Sequence, residues 1–376
     1  MAKTKKEKVK SFTSIFGVIK NKILSIFHAF KKIFIGTEKH RFPLIKLAKR
    51  IFATILAFYV LLFFVIHRYS YWLQRHILFL QFVRWPLKTD FNKPEKFELK
   101  GCKNFYLSTK DGVKIGVWQI LPESYTSQSQ IAVETYDEAI GDGKPIIIYV
   151  HGNSGTRATY HRVQLYKLLQ KNECHVIAFD YRSFGDSSYV LPDETGVVDD
   201  TGTVLKWTFE HKKNSPVYVW GHSLGTGIAS RTVTEFELRG ESVDGLILEA
   251  AFNNLEDAIR NHPLSVLFRH AIGYDFFFVK PIQNNGITFT TDKYLASSKI
   301  PLFILHAKDD WILPPVLGQK LYQYLVQNRP KVQESVKFVE FGKGYGHKYM
   351  CNSTALINLI NLFLSGKLNE IPPVVA

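Results

Sequence analysis

Five residues, Gly221-His222-Ser223-Leu224-Gly225, stand between a short apolar run, Val217–Trp220 (VYVW), and a helix-compatible run, TGIASRTVTEF. A chain that passes from strand to helix in so few residues needs glycine, whose missing Cβ lets the backbone fold sharply and lift the central serine into the open. A chain of this composition contains a G-x-S-x-G by chance about one time in ten. The strand–turn–helix setting is therefore what gives the match its weight. Around it, Pro145–Val150, His175–Asp180, Leu246–Ala250 and Leu302–His306 are further apolar runs of strand length. Such runs suit strands of a parallel sheet covered on both faces. Phe105–Ser108 and Val113–Ile120 form an expected antiparallel hairpin about Asp111-Gly112, and Tyr160–Gln170 and Thr203–His211 are amphipathic. The pattern predicts an α/β architecture with a mostly parallel sheet and helices on both faces. Residues 122–144 are polar and acidic, without clear periodicity, and read as a surface loop.

An exposed serine becomes a nucleophile only with a base beside it and an acid to orient the base. In the chain order that goes with this turn, the acid and then the histidine follow the serine. The strand Leu302–His306 leads into Ala307-Lys308-Asp309-Asp310, and a proline, Pro314, closes the loop. Asp310 fits the acid better than Asp309 by its spacing from that proline; the other aspartate would cap the next helix. Of 13 histidines, only His347 lies downstream of both aspartates, in the glycine-rich stretch Phe341–His347 after an expected strand at Val336–Glu340. Ser223, Asp310 and His347 are the expected catalytic residues. His222 reads as part of the turn itself, and His175 as a core or edge residue of a strand.

An acyl oxyanion needs two backbone N–H donors. The residue after the nucleophile, Leu224, supplies one. Asn153, in the loop His151-Gly152-Asn153-Ser154-Gly155 after an early strand, is the candidate for the other. Arg157, close by, either meets a substrate phosphate or carboxylate or makes a structural salt bridge. Between Ala250 and Pro301 lie about fifty residues, more than a simple connection requires. An insertion at about 251–300 would roof the serine as a cap. Its aromatic residues, Phe276-Phe277-Phe278 among them, either line an acyl pocket or touch lipid, or are simply the core of the cap. Three cysteines are too few and too scattered for a disulfide framework or a zinc site. The chemistry calls for no metal and no cofactor.

The formal charge is +15, which raises the question of nucleic acid. Its distribution answers it, because residues 1–50 carry 14 Lys/Arg against Glu7 and Glu38, and the remaining body is nearly neutral. The arm runs into IFATILAFYVLLFFVI, Ile51–Ile66, without a charge. Sixteen helical residues reach about 24 Å, and Lys49, Arg50, His67 and Arg68 can snorkel to extend that. Tyr71 and Trp72 follow as interfacial anchors. The partner expected is a lipid bilayer, with no nucleic acid. Residues 1–50 form a basic amphipathic arm (Phe12, Ile15, Phe16, Ile19, Ile23, Ile26, Phe27 and Phe30 at helical spacing) or else a solvated tail. Residues 51–68 form a signal-anchor, 69–99 a juxtamembrane segment whose Trp72–Trp85 stretch lies in the interface, and 100–376 the catalytic domain. Positive residues before the span place the arm in the cytoplasm and the body in a lumen or outside the cell. The glycosylation triplet Asn352-Ser353-Thr354 is compatible with that side.

The segments FYLSTKDGVKIGVW (105–118), HGNSGTR (151–157), FDYRSFGDS (179–187), VYVWGHSLGTGIA (217–229), LHAKDDWILPPVLGQKLY (305–322) and GYGHKYM (344–350), with LFLQFVRWP (78–86), together resemble a known family. They are similar to the α/β-hydrolase domain-containing lipases of the lysophosphatidylserine lipase and monoacylglycerol lipase type, the domain-twelve subfamily, over residues 50–365. The resemblance implies the α/β-hydrolase fold and a membrane lipase of the endoplasmic reticulum with a lumenal site. It implies lysophospholipid substrates, lysophosphatidylserine in particular, and monoacylglycerols, cleaved by Ser223, Asp310 and His347. The chain departs from the family pattern at Trp311, where proline is usual, and at 122–144, which is longer and more acidic. A plasma-membrane enzyme with an extracellular domain fits the same topology. Rival readings are an acyl-protein thioesterase, which the lumenal orientation disfavours, and a lipid-binding scaffold with an idle triad.

Overall fold

The computed structural model describes residues 43–126, 132–266, 269–271, 273–330 and 335–375. The amphipathic pattern of the basic arm, Phe12 to Phe30, lies outside the described residues. Two compact units divide the chain, Met1–Val65 and Ile66–Ala376. A helix, Pro43–Arg68, carries the apolar stretch Ile45–Val65 of 21 residues. At 1.5 Å per residue that stretch is about 32 Å long, enough for a hydrocarbon core of ~30 Å. Helical structure starts before the uncharged run, so Lys46, Lys49 and Arg50 lie on the helix itself rather than ahead of it.

In the second unit, nine strands among the described residues form one sheet. They are β1 (Cys102–Ser108), β2 (Lys114–Ile120), β3 (Ile146–Val150), β4 (His175–Asp180), β5 (Val217–His222), β6 (Gly245–Glu249), β7 (Leu302–Ala307), β8 (Val336–Phe341) and β9 (Val374–Val375), in the order β1-β2-β4-β3-β5-β6-β7-β8-β9. The first two strands pair antiparallel as the expected hairpin, and β2 meets β4 antiparallel; every later pairing is parallel. Alternate residues of each central strand feed two separate cores, as the two-residue period requires. Ile146, Ile148, Val217, Val219, Leu246 and Leu248 pack on one face, and Ile147, Tyr149, Tyr218, Trp220, Ile247 and Phe303 on the other. Burial on both faces explains why these strands read as unbroken apolar runs.

Three segments differ from the sequence reading. Residues 122–144 are not all loop. A helix, Val133–Ala139, buries Tyr136 and Ala139 with Leu121, and Gln119 Nε2 donates to the Tyr136 carbonyl at 2.6 Å. Three apolar contacts on a short turn of helix leave no periodicity for a sequence to show. The helix expected from Thr203 begins at Glu194, capped by Asp193, whose carboxylate accepts the Gly196 N–H at 2.8 Å. Its first turns hold Gly196, Asp199 and Asp200, poor helix formers, and they are secured instead by the ion pair of Asp200 with Arg182 at 2.8 Å.

The third difference is the juxtamembrane segment, which does not lie wholly free for the interface. Its helix, Ser70–Phe79, buries one face against the rest of the second unit. Phe79 is fully buried against Phe289, and Arg75 Nε donates to the Pro192 carbonyl at 2.6 Å while its guanidinium pairs with Asp193. Arg75 and Phe79 are four residues apart and share a helix face, whereas Trp72 and Ile77 are exposed.

The long connection between β6 and β7 holds a helix Leu255–Asn261, a π-turn Asp275–Val279 and short helices at Lys280–Asn284 and Thr291–Ala296. The buried Glu194 fastens its exit. The carboxylate accepts the N–H groups of Thr288 and Phe289 at 2.6 and 2.9 Å and the Tyr294 hydroxyl at 2.6 Å.

Candidate active site

Parallel strands point their C-terminal ends to one edge, where loops of an open α/β sheet gather ligands. Ser223 follows β5, Asp310 follows β7 and His347 follows β8, so three loops distant in sequence open on the same edge. The loop after β3, the neighbour of β5, completes it.

Ser223 is held at φ 55°, ψ −122°, a conformation that non-glycine residues rarely adopt and that points the side chain out of the turn. The flanking glycines are explained by close approach rather than by their own dihedrals. A Cβ on Gly225 would overlap the Val150 carbonyl oxygen, and one on Gly221 would stand 2.6 Å from the Gly225 carbonyl. The Ser223 N–H donates to the Glu249 carbonyl at 2.9 Å, tying the turn to β6.

His347 is bonded at both ring nitrogens. Its Nδ1 lies 2.7 Å from Asp310 Oδ2 and its Nε2 lies 2.9 Å from Ser223 Oγ. A carboxylate only accepts, so the proton sits on Nδ1 and the Nε2 lone pair faces the serine hydroxyl. Asp310 is buried, and its other oxygen accepts the N–H groups of Ile312 and Leu313 at 3.0 and 2.9 Å. Burial works to raise its pKa, but hydrogen bonds from His306 and His347 and their proximity hold it well below the usual carboxylate range. His306, fully buried, donates from Nε2 to the Leu313 carbonyl at 2.8 Å and lies 3.4 Å from Asp310.

The neighbouring aspartate has a different task from the helix cap that the sequence suggested. Asp309 accepts the backbone N–H groups of Gly344 and Gly346 at 2.7 and 2.9 Å. Both glycines have positive φ, 109° and 51°, and Asp309 thereby pins the loop that delivers His347. His222 does the same from below, its Nε2–H donating to the His347 carbonyl at 2.8 Å. Burial, then the nearness of His347, holds the His222 imidazole neutral. In the sequence, adjacency to the serine was the only signal for that role.

Gly152, in the loop after β3, lies against the nucleophile: a Cβ there would be 3.3 Å from both Ser223 Cβ and His222 Nδ1. Asn153 follows it and is partly exposed. Leu224 opens the helix Leu224–Glu237, whose first-turn N–H groups have no intrahelical acceptors. Asn352, the glycosylation candidate, is exposed in a short turn at Met350–Asn352.

Arg157 does not face the site. Its side chain is fully buried, with Nη1 2.5 Å from Asp180 and 2.7 Å from Asp186, Nη2 2.8 Å from the Asn104 side chain, and the guanidinium 4.0 Å over the Phe91 ring. Of the two readings open in the sequence, the structural salt bridge is the one realised; headgroup contact is excluded by burial. The cap aromatics also turn elsewhere. Phe276 stacks on His67 at 5.2 Å and Phe277 meets it edge-on. A cavity of about 490 Å³ within the cap is lined by Asn254, Glu256, Asp257 and Asp292 among others, and none of Ser223, Asp310 and His347 borders it. In the same insertion, burial, then the charge of His347, lowers the His262 pKa.

Glu249, behind the turn, was not anticipated. It is buried, and its Oε2 accepts the Trp220 indole N–H at 2.9 Å. Burial pushes its carboxyl up to about 8, against the indole bond and with help from the Asp310 charge. The raised folded value means that this group's stabilisation is complete below its ordinary value of 4.5 and is lost as pH rises to about 8. Glu249→Gln keeps the acceptor for Trp220 and removes the ionisation. We expect the variant to gain on the parent by a few kcal/mol between about pH 5 and about pH 8.5. Denaturant melts of both proteins at the two pH values check this; parallel pH profiles would contradict it.

Comparison with known proteins gives the family and the fold. The α/β-hydrolase fold family profile matches residues 145–267. Lysophosphatidylserine lipase ABHD12 of Rattus norvegicus is 39% identical over 319 residues, covering 84% of this chain and 80% of the relative. The protein of the same name from Xenopus tropicalis is 41% identical, over 78% and 76%. Protein ABHD12B of Homo sapiens is 36% identical, over 77% and 79%. Among solved structures, a Pyrococcus furiosus esterase superposes with a TM-score of 0.54 at 19% identity, covering 76% of this chain and 97% of its own. An α/β hydrolase of Vibrio vulnificus superposes at 0.56 with 16% identity, over 78% and 92%. These distant likenesses speak to the fold alone. The sequence relatives go further: this chain belongs to the α/β-hydrolase family of the lysophosphatidylserine lipases and is an ester-cleaving serine hydrolase.

Proposed function

We propose that the protein is a membrane-anchored lipase that removes the single acyl chain of lysophospholipids, with lysophosphatidylserine as the leading substrate, and of monoacylglycerols. The observation that carries this reading is the His347 ring bonded at 2.7 Å to Asp310 and at 2.9 Å to Ser223. The Ser223 Oγ attacks the acyl carbonyl as its proton passes to His347 Nε2, and Asp310 stabilises the imidazolium. Leu224 and Asn153 N–H groups receive the oxyanion. Collapse breaks the ester bond, and the departing glycerol oxygen takes the proton from His347. Water, deprotonated by the same nitrogen, then attacks the acyl-serine and releases the fatty acid.

The names of the relatives support the headgroup, and the helix through Ile45–Val65 supports the anchor. A single-chain lipid suits such an enzyme, because it leaves a bilayer at about 0.8 kcal/mol per CH₂ for one chain only. The basic residues before the span argue for a site on the lumenal or extracellular side, the endoplasmic reticulum being what the family resemblance implies, and glycosylation of Asn352 would report that side. Hydrolysis by the purified full chain of a panel of lysolipids, monoacylglycerols and acyl-cysteine thioesters tests the substrate class. Release of fatty acid from lysophosphatidylserine ahead of the other lipids is expected. Preference for thioesters, or no turnover at all with an unlabelled serine, would overturn it.

A further inference from the structure

The segment between the span and the sheet has a second face that the fold does not use. Trp72, Ile77, Phe82, Trp85 and Leu87 are 53–70% exposed, within sixteen consecutive residues. Isolated apolar residues on a surface need no explanation, but a run of large ones this dense does. The same stretch carries Arg68, Arg84 and Lys88, and no carboxylate occurs from Lys39 to Thr89. Tryptophan and other aromatics mixed with cations, without acids, is the composition of a surface that sits at the boundary of headgroups and acyl chains.

This face is held rigidly to the active-site edge. Arg75 and Phe79 secure the helix from behind. Beyond it, the Val83 carbonyl accepts the Gly155 N–H at 2.9 Å, and the Trp85 carbonyl accepts the Thr159 hydroxyl at 2.9 Å and the Thr156 hydroxyl at 3.3 Å. Gly155, Thr156 and Thr159 belong to the loop that also carries Gly152 and Asn153 beside Ser223. The backbone of the strap thus bonds to the loop beside Ser223, Gln81 is buried, and the side chains of Phe82, Trp85 and Leu87 are exposed.

We propose that Trp72, Ile77, Phe82, Trp85 and Leu87 form a docking surface for the lipid bilayer, which seats the catalytic unit on the membrane with the loop beside Ser223 at the lipid boundary. The span alone would leave the unit tethered and free to turn; the docking face fixes which edge meets the substrate. A bilayer is favoured as the occupant because the face begins within a few residues of the apolar helix, so the chain itself brings it to the membrane surface. The proposal rests on the membrane-anchored part of the functional reading.

The test uses the full chain reconstituted in phosphatidylcholine–phosphatidylserine vesicles, with and without brominated acyl chains. Quenching of tryptophan fluorescence by the brominated lipid is expected, and its loss in the Trp72→Phe/Trp85→Phe variant. A second variant, Trp72→Gln/Phe82→Gln/Leu87→Gln, should hydrolyse vesicle-borne lysolipid about tenfold more slowly while a water-soluble acetate ester stays within about twofold of the parent. Retention of all proteins on carbonate-washed vesicles reads the span separately, so a failed anchor is told apart from a failed docking face. Equal quenching in parent and variant, or equal loss on both substrates, would overturn the proposal. So would a dimer in detergent that the second variant dissolves while lysolipid hydrolysis is unchanged, which would make the face a contact between copies.

Discussion

Ser223→Ala is expected to lower ester hydrolysis by about four to six orders of magnitude, the loss typical of removing a nucleophile that works as one unit with its base. The substitution leaves a Cβ in place, so the unusual backbone at φ 55° is no more strained in the variant than in the parent. The fold should therefore persist, with an unchanged melting transition, and labelling by a fluorophosphonate should vanish. Any residual rate would come from binding and the oxyanion donors, which remain. Turnover of a purified variant within about tenfold of the parent would remove Ser223 from the mechanism altogether.

The largest effect on stability is expected at Arg157. Arg157→Leu takes the guanidinium from the buried Asp180, which keeps the residue 157 N–H at 2.8 Å, and from Asp186, which keeps the Tyr106 hydroxyl at 2.8 Å. Breaking a buried pair from one side costs roughly 3–5 kcal/mol. Against a total stability of about 5–15 kcal/mol, that is a large share. Arg157→Lys restores the charge but not the fork that reaches Asp180, Asp186 and Asn104 together, and should recover part of the loss. Chemical denaturation of both variants measures this. A transition midpoint equal to the parent's would show that the network is dispensable.

The sequence made the parallel sheet legible because burial on both faces writes itself as runs such as PIIIYV and HVIAFD. The order of Ser223, Asp310 and His347 was legible for a related reason: the turn demands glycine at fixed positions, and only one histidine lies downstream. What stayed hidden depends on partners far away in the chain. Arg157 sits beside a catalytic loop in sequence, yet Asp180 and Asp186 draw it into the interior, and nothing local announces that. Asp309 and Asp310 are chemically the same residue twice. Only the direction of each side chain, one to two glycine amides and one to an imidazole, separates a loop clamp from a catalytic carboxylate. The Trp72–Trp85 stretch reads as lying in the interface, although Arg75 and Phe79, four residues apart, dock one face of its helix.

The placement of the insertion between β6 and β7 has a consequence for how such an enzyme could change its diet. None of the loops after β5, β7 and β8 passes through it, so Ser223, Asp310 and His347 are carried by other segments. The insertion is in that sense a cassette, able to diverge without replacing any of the three. Glu194 sets one condition on any transplant. A donor segment must present two adjacent amides and a tyrosine hydroxyl where Thr288, Phe289 and Tyr294 now stand, or the far end of the graft has nothing to clip to.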